Sequence, residues 1–591
     1  MKKIFGHYLA PYYARMAMGF FVKFSGTLMD LFLPWTLAYM IDSVIPADRK
    51  GEILLWGLFM VVCSVLAVTF NVVANRMASR VASDAMYTIR GDLFERVMYL
   101  PEYRCDELTR ASLISRLTSD TYNVHQMLGR IQRLGVRAPI LLIGGIVMTM
   151  LLDPVLACVL LAALPLLAAV VYVVSKKGIP MFAALQESVD RFVRLIREDI
   201  AGIRVIKALS KEDYERKRFD QVNLEVVERE RKATVTTAIT NPSMNLLLNL
   251  GLVAVILVGA YRVNRGVTEV GRILAFMTYF TIILNALLSI SRMFIIISKA
   301  AASASRIVQV LEGEDERMVT ADRSDKRKDP GADDLDETDR QEADENSHVA
   351  FHRVSFSYNK VRNNLEQISF SLKRGETLGI IGATGSGKTT IVNLLMRLYD
   401  VDEGSITIDG KDIREMDYHE LRGKFGVVFQ NDMIFEDSIL ENVKVGRTLG
   451  ESQVEEALLY ARAKEFVEKK GGMEERLDIR GANLSGGQKQ RILIARALAA
   501  HPEILILDDS SSALDYKTDA ALRRELREHF SGTTCIVIAQ RISSVMGADH
   551  ILVLEDGQEI GYGTHEELME HCQVYREISD SQMGVSKKEA V

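Results

Sequence analysis

Apolar residues are distributed very unevenly along this chain of 591 residues. Six long apolar stretches lie in the first 300 residues, near residues 16–43, 54–75, 137–152, 155–175, 242–263 and 271–298. Most match the roughly 20 residues that a helix needs to cross a bilayer core of about 30 Å. Stretches such as ACVLLAALPLLAAVVYVV are apolar on every helical face, which is typical of membrane helices. The pattern therefore predicts six membrane spans.

The connections between the predicted spans alternate in length and charge. The first, third and fifth are short, whereas the second and fourth, roughly residues 76–136 and 176–241, are long, helical in pattern and rich in Lys and Arg. The positive-inside rule places these long connections in the cytoplasm. They are predicted to extend the membrane helices into the cytoplasm, each ending in a turn suited to contact a soluble domain.

Charged residues occur inside the predicted spans, where charge is costly and often functional. Lys23 and Asp30 are seven residues apart and so share one face of the first span, and Arg292 lies in the last span. One interpretation is a polar cavity that touches cargo. The other is an internal ion pair, or long side chains that extend to the headgroups.

Composition divides the chain into three parts. Residues 1–310 form the predicted transmembrane domain, residues 311–348 form a charged linker and residues 349–591 read as a soluble domain. The linker is too polar to bury a core and is predicted to be a disordered tether, with partner docking as the alternative.

Charge and cysteine content narrow the function classes. The net charge of −6 gives no field that would attract nucleic acid. The five cysteines are scattered without a CxxC pair, so neither a disulfide framework nor a cysteine metal site is expected. The N-terminus lacks the pattern of a removable signal peptide.

A phosphate-binding motif opens the soluble part of the chain. The apolar run 377–381 is followed by GATGSGKTT and then by a helical pattern, which is the strand-to-helix context that confirms G-x-x-x-x-G-K-[ST]. Backbone N–H groups and the helix N-terminus bind phosphate there, Lys388 reaches the terminal phosphates, and the Thr389 hydroxyl ligates magnesium. The predicted binding residues are Gly382, Thr384, Gly385, Ser386, Gly387, Lys388, Thr389 and Thr390.

Two further segments complete the predicted site. Residues 503–509, EILILDD, read as a buried strand that delivers Asp508 to the magnesium ion. Residues 483–488, NLSGGQ, open a helix and form a second phosphate-binding N-terminus, made by Ser485, Gly486, Gly487 and Gln488. Two phosphate-binding elements in one chain suit an arrangement in which two such domains face each other and complete each other's sites.

LSGGQ, the phosphate loop and the acidic strand together resemble the ABC transporter family, and the six spans before one soluble domain resemble a half-size exporter of the multidrug and lipid type. The likeness covers nearly the whole chain, including GIRVIK at 202–207 and ASASRI at 302–307. It implies an all-α six-helix transmembrane domain followed by an α/β P-loop nucleotide-binding domain. It also implies ATP and Mg²⁺ as cofactors.

The resemblance assigns further roles by position. Tyr358 would stack on adenine, Gln430 would touch magnesium and the attacking water, and residues 512–515, which end in Asp515, would form the D-loop. The cytoplasmic turns near residues 112–120 and 210–214 would be the coupling helices. The chain would lie in a bacterial plasma membrane with its nucleotide-binding domain in the cytoplasm.

The sequence departs from the family pattern at three positions. Asp509 stands where relatives have the glutamate that orients the attacking water, and Gln540 stands where they have a histidine. Ile479 replaces a glutamate near the coupling helices. A displacement of about 1 Å can lower a rate on the order of 100-fold, and a neutral amide lacks the charge of an imidazolium.

These departures imply two alternatives. In the first, an active homodimer tolerates them. In the second, the chain pairs with a different half-transporter, forms a degenerate ATP site, and supplies its intact LSGGQ to the partner's consensus site. The catalytic set of this chain would be Asp509, Gln540, Gln430 and Lys388, and its metal ligands Thr389, Gln430 and Asp508.

The predicted activity is ATP-driven export of a small amphipathic molecule, which would be a drug, a lipid or a peptide. The alternatives are a regulatory gating subunit that transports nothing itself, and an importer with exporter architecture.

Overall fold

The computed structural model describes residues 6–313, 315–316, 347–430, 432–510 and 512–583. The chain divides into two compact units, one formed by residues 1–97 and 111–312 and the other by residues 98–110 and 313–591. Most of the predicted linker, residues 317–346, lies outside the described residues.

The first unit is built from helices. They are α1 Tyr13–Tyr39, α2 Lys50–Met98, α4 Arg110–Ser115, α5 Thr121–Arg130, α6 Val136–Leu152, α7 Pro154–Ala201, α8 Ile203–Ala208, α9 Glu212–Ala238, α10 Thr240–Asn264 and α11 Val270–Leu311. Within the described part of the chain, six helical segments are long and apolar enough to cross a membrane, which confirms the six predicted spans.

Several of these helices are much longer than a bilayer is thick. At 1.5 Å per residue, the 49 residues of α2 extend for about 70 Å, more than twice the thickness of a hydrocarbon core. The buried positions of α2 include a series of alanines, at 67, 74, 78, 82 and 85, and such small side chains allow membrane helices to approach closely. The predicted continuation of the membrane helices beyond the bilayer is confirmed for α2 and α7.

An ion pair between a buried carboxylate and a half-exposed arginine joins the segment after α4 to the end of α11. The Asp120 side chain is 1% exposed and accepts a hydrogen bond from Arg306 Nε at 2.7 Å. Arg116 Nη1 donates to the carbonyl of Arg306 at 2.9 Å, and its Nη2 donates to Gln309 Oε1 at 2.9 Å. The arginine of the ASASRI segment is therefore a structural anchor for the last membrane helix.

The charged residues of the spans have polar partners in the same unit. Asp30 accepts a hydrogen bond from Arg137 Nη2 at 3.0 Å, and Lys23 Nζ donates to Asn75 Oδ1 at 3.0 Å. Arg292 is exposed. The geometry favours an ion pair for Asp30, but its partner comes from α6 and not from the same helix.

The second unit contains two β-sheets. Its strands are β1 Val349–Phe356, β2 Leu365–Leu372, β3 Thr377–Gly382, β4 Glu403–Ile408, β5 Lys411–Asp412, β6 Phe425–Val428, β7 Ile504–Asp508, β8 Thr534–Ile538, β9 His550–Glu555 and β10 Gln558–Gly563. One sheet has the order β2-β1-β4-β5 and is antiparallel. The other has the order β10-β9-β3-β8-β7-β6, with parallel pairing from β9 to β6 and an antiparallel edge at β10. This is the predicted α/β nucleotide-binding fold.

Helices surround these sheets. They are α12 Lys388–Leu395, α13 Tyr418–Gly423, α14 Ile439–Lys444, α15 Glu451–Tyr460, α16 Lys464–Lys470, α17 Gly486–Leu498, α18 Tyr516–His529, α19 His565–His571 and α20 Gln573–Met583. A further short helix, α3 Glu102–Leu108, belongs to this unit although it lies in the first half of the sequence.

The position of α3 bears on the first predicted coupling helix, whose role stays a prediction. Residues 98–110, and not 112–120, group with the nucleotide-binding unit. Pro101 precedes α3 with an extended backbone, and Thr109 follows it at a φ of 59°, so the chain turns at both ends. Residues 112–120 instead lie in the membrane unit, where Asp120 is held by Arg306. The second predicted coupling segment coincides with a turn between α8 and α9, and its role stays a prediction.

We expect Asp120→Ala to lower the stability of the protein by about 2 kcal/mol, because it leaves the guanidinium of Arg306 without its buried carboxylate. Thermal unfolding in detergent measures the change. Glu52→Ala is the matched control, since it breaks the exposed Arg49–Glu52 pair and should change stability by less than about 0.5 kcal/mol. Equal losses in the two variants would contradict the anchoring role of Asp120.

Candidate nucleotide-binding site

Three neighbouring parallel strands bring the predicted site residues together. β8 pairs with β3 on one side and with β7 on the other. Because parallel strands end at the same edge of a sheet, the loop after β3, Gln540 after β8, and Asp508 with Asp509 at the end of β7 meet there. The strands are almost entirely buried, so the chemistry is confined to their carboxyl ends.

The loop after β3 has the backbone that a phosphate cradle needs. Gly385 and Gly387 have φ values of 87° and 99°, a region that side chains disfavour. A Cβ at Gly387 would also lie 2.6 Å from Leu365 Cδ2 and 2.8 Å from the carbonyl oxygen of Asn364. Glycine is therefore required at the position that caps α12, whose first residue is Lys388.

The polar side chains of this loop suit a nucleotide with its metal ion. Lys388 Nζ donates to the carbonyls of Gly382 at 2.9 Å and Ala383 at 2.7 Å, and burial lowers its pKa. Thr389 Oγ1 donates to Asp508 Oδ2 at 3.1 Å. The buried Ser386 hydroxyl has no hydrogen-bond partner within the described residues. An unsatisfied hydroxyl, a lysine and a helix N-terminus fit phosphate, and the hydroxyl–carboxylate pair fits Mg²⁺, which prefers oxygen ligands.

Asp508 is a buried carboxylate of the site. It is 3% exposed, and burial raises the pKa of its carboxyl group. A cation next to this carboxylate would favour its charged form, which is what a metal ligand requires.

Asp509 and Gln540, the two residues that depart from the family pattern, contact each other. Gln540 Nε2 donates to Asp509 Oδ2 at 3.2 Å. The N–H of Asp509 donates to the carbonyl of Ile538 at 2.9 Å, which fixes its backbone to the end of β8. Sequence reasoning singled out both residues but did not predict that one would hold the other.

Tyr358 is held by two aromatic rings. Its ring lies edge to face with Phe356, at 4.8 Å between centroids, and with Tyr399, at 4.9 Å. Its hydroxyl accepts a hydrogen bond from Asn393 Nδ2 at 3.0 Å and lies 3.5 Å from Thr390 Oγ1. The side chain is still 42% exposed, so a free aromatic surface is available. Tyr399 and Asn393 were not predicted, since neither belongs to a motif.

The LSGGQ segment begins α17 with a capping box. Ser485 Oγ accepts from the N–H of Gln488 at 3.3 Å, and Gln488 Oε1 accepts from the N–H of Ser485 at 2.9 Å. In the described part of the chain, no hydrogen bond joins Ser485–Gln488 to the loop Gly382–Thr390. The phosphate-binding role predicted for Ser485–Gln488 stays a prediction.

The predicted D-loop lies close to both the acidic strand and LSGGQ. Ser512 Oγ donates to the carbonyl of Asp509 at 3.0 Å, and a Cβ at Gly487 would lie 3.1 Å from the carbonyl oxygen of Ala513. Asp515 caps α18 by accepting from the N–H of Thr518 at 2.9 Å, which together with the Thr518 hydroxyl lowers its pKa. Gln430 is exposed just beyond β6.

Comparison with known proteins agrees with this geometry. Residues 16–287 match the family described as "ABC transporter transmembrane region", and residues 365–512 match the family described as "ABC transporter". The uncharacterized ABC transporter ATP-binding protein YfiB of Bacillus subtilis (strain 168) is 33% identical over 580 residues, which cover 98% of both chains. The chain belongs to the ABC transporter family.

Other matches extend the comparison for this ABC transporter. The uncharacterized ABC transporter ATP-binding protein YknU of the same organism is 30% identical over 560 residues, which cover 94% of this chain and 93% of that one. The solved structure of a bacterial Atm1-family ABC exporter with ATP bound matches with a TM-score of 0.79 and 24% identity, covering 98% of this chain and 99% of that chain. That likeness establishes the exporter fold.

The ABC transporter is therefore an ATPase coupled to transport across a membrane. It is a multi-pass membrane protein whose nucleotide-binding domain lies in the cytoplasm.

The resemblance assigns adenine stacking to Tyr358, and the exposed face of its ring fits that role. Stacking of a base on an aromatic ring is worth about 1–3 kcal/mol. We expect Tyr358→Ala to weaken ATP binding by roughly tenfold or more, whereas Tyr358→Phe keeps the ring and should change it by less than about threefold. Calorimetric titration with a non-hydrolysable ATP analogue measures both. Equal affinities of the alanine and phenylalanine variants would contradict the assignment.

Proposed function

We propose that this chain is one half of a heterodimeric exporter that moves a small amphipathic molecule out of the cell. In this proposal the chain's own ATP site binds nucleotide with Mg²⁺ but hydrolyses it slowly. Its LSGGQ segment completes the site at which a partner half-transporter hydrolyses ATP. The observation that carries the proposal is the hydrogen bond between Gln540 and Asp509.

That contact bears on hydrolysis for two reasons. The carboxylate of Asp509 is one methylene shorter than that of the family's glutamate, and its Oδ2 is engaged by the Gln540 amide, 3.2 Å away. A group that must orient water loses rate steeply when it is displaced, by on the order of 100-fold for about 1 Å. The Gln540 amide is also neutral, so it adds no positive charge as the phosphoryl group transfers.

The binding residues of the same site are intact. Lys388, Thr389 and Asp508 keep the arrangement that supports a magnesium nucleotide, with Gln430 as the further proposed ligand. The contrast between intact binding and weakened hydrolysis supports a site that holds ATP. Binding of ATP then favours whichever conformation binds it more tightly, and hydrolysis at the partner's site resets the cycle.

The intact capping box at Ser485 supports the second part of the proposal. Reciprocal hydrogen bonds between Ser485 and Gln488 cap the N-terminus of α17, and the two glycines between them add no side chain that would obstruct a phosphate. A chain that had lost transport activity altogether would have no need to keep this element.

The ATPase rate of the purified chain distinguishes the two dimers. We expect the chain alone to hydrolyse ATP at least about tenfold more slowly than the same chain with a partner half-transporter that has the glutamate and the histidine. The control is Lys388→Ala in this chain, which removes the predicted phosphate-binding lysine and so shows how the ATPase rate changes when this chain's site binds nucleotide less well. Strong activity of the chain alone, abolished by Asp509→Ala, would show an active homodimer and refute the heterodimer.

Restoring the family residues tests the cause of slow hydrolysis. We expect the double variant Asp509→Glu with Gln540→His to raise turnover at this chain's site by roughly 10- to 100-fold in single-turnover measurements. Each single change should give less, because residues that act as a unit are not additive. Asp509→Asn with Gln540→His is the matched control and should give no gain. A double variant that hydrolyses ATP no faster than the parent would contradict the account.

A further inference from the structure

A short helix from the first half of the sequence, α3, is hydrogen-bonded to a tyrosine from the second half, within the nucleotide-binding unit. Tyr399 follows α12, and its hydroxyl donates to Asp106 Oδ2 of α3 at 2.5 Å, across 293 residues of sequence. The chain just before α3 is held as well, since the N–H of Glu316 donates to the carbonyl of Tyr99 at 2.9 Å. Both contacts lie within the nucleotide-binding unit.

The same tyrosine touches the aromatic residue of the ATP site. The ring of Tyr399 lies 4.9 Å from that of Tyr358 with an interplanar angle of 88°, and 5.7 Å from that of Phe356. Edge-to-face contacts of this kind favour one ring orientation over others. If the Tyr358 ring moves when a base binds to it, the ring therefore pushes directly on the ring of Tyr399.

The chemistry of the anchor suits a firm link. A hydroxyl that donates to a carboxylate forms one of the stronger hydrogen bonds in proteins. Burial and the neighbouring Asp106 both raise the pKa of the Tyr399 phenol, so it keeps its proton and stays a donor at physiological pH.

We propose that Tyr399 is a positioning residue that links occupancy of the Tyr358 ring by a base to the position of α3. The proposal rests on the nucleotide role of Tyr358, but it is independent of whether the partner chain is identical, because all three residues belong to this chain. It assigns a function to Tyr399 and Asp106, which no motif identifies.

Covalent connection gives this link a consequence for transport. Residues 98–110 join α2, which ends at Met98, to α4, which begins at Arg110, and the remainder of both flanking segments belongs to the membrane unit. Restricting α3 therefore restricts the ends of two membrane-unit segments. Because coupling between two sites is reciprocal, anything that displaces α3 must also weaken nucleotide binding by the same factor.

Hydrogen–deuterium exchange on the full-length protein in lipid nanodiscs tests the link. The readout is the ratio of exchange rates in residues 98–110 without and with a saturating non-hydrolysable ATP analogue. We expect the analogue to slow exchange in this segment about tenfold in the parent protein, which is the effect of one hydrogen bond to a charged group. In Tyr399→Phe and in Asp106→Asn this ratio should fall close to one. In the double variant the ratio should be the same as in either single variant, because both changes remove the same hydrogen bond.

Tyr460→Phe is the matched control. Its hydroxyl donates to Glu456 Oε1 at 2.6 Å, the same chemistry at a place remote in sequence from α3, and its removal should leave the ratio unchanged. If Tyr399→Phe raised exchange equally with and without nucleotide, so that the ratio stayed at the parent value, Tyr399 would only dock α3 and the proposal would be wrong. A parent protein whose residues 98–110 show no nucleotide-dependent protection would also overturn it.

The two proposals fail in different ways. An active homodimer would refute the heterodimer and leave the exchange ratio intact. Normal ATP affinity in Tyr358→Ala, by contrast, would remove the basis of the Tyr399 link while leaving the ATPase comparison unaffected.

Discussion

The nucleotide site depends on one constraint: three parallel strands, β3, β8 and β7, lie side by side and end at the same edge. This arrangement places the phosphate loop within reach of Gln540 and the acidic pair, although Thr389 and Asp508 are 119 residues apart in sequence. Because the strands are buried, any change in their register would displace all three elements together. The sheet thus fixes where the site residues of the family lie. The two residues that depart from the family pattern, Asp509 and Gln540, lie just beyond the ends of their strands.

In the proposed function, binding and hydrolysis are assigned to different residues at this edge. Lys388, Thr389 and Asp508 are held by the loop and by buried strand ends, so their positions are fixed by the fold. Asp509 is partly buried, Gln540 is exposed, and the two bond to each other. A site of this kind can lose catalytic rate without losing affinity for nucleotide, because the substituted residues are not the ones that hold the phosphates. The hydrogen bonds of the capping box in LSGGQ join residues of that segment to each other, so the conformation of LSGGQ does not depend on Asp509 or Gln540.

The sequence predicted much of this, wherever the signal was local. Six apolar stretches and a motif between a strand and a helix specify spans and a phosphate loop, because both depend on neighbouring residues. Contacts between residues that are distant in sequence could not be predicted, because no local pattern specifies them. Examples are the contact of Asp30 with Arg137 and the contact of Tyr399 with Asp106. The first coupling segment was predicted at 112–120 from the family resemblance, and those residues lie in the membrane unit, whereas residues 98–110 group with the nucleotide-binding unit. The informative signal was Pro101, which lies between the end of α2 at Met98 and the start of α3 at Glu102.

The most direct test of the account is the nucleotide that remains on this chain during transport. A photoreactive ATP analogue, labelled on either the α- or the γ-phosphate, is crosslinked to the purified heterodimer after steady-state turnover, and the two subunits are separated. The account predicts that this chain carries α- and γ-label in equal amounts, because it holds unhydrolysed ATP, while the partner has lost the γ-label. Loss of the γ-label from this chain as fast as from its partner would contradict the claim that Asp509 and Gln540 form a slow site.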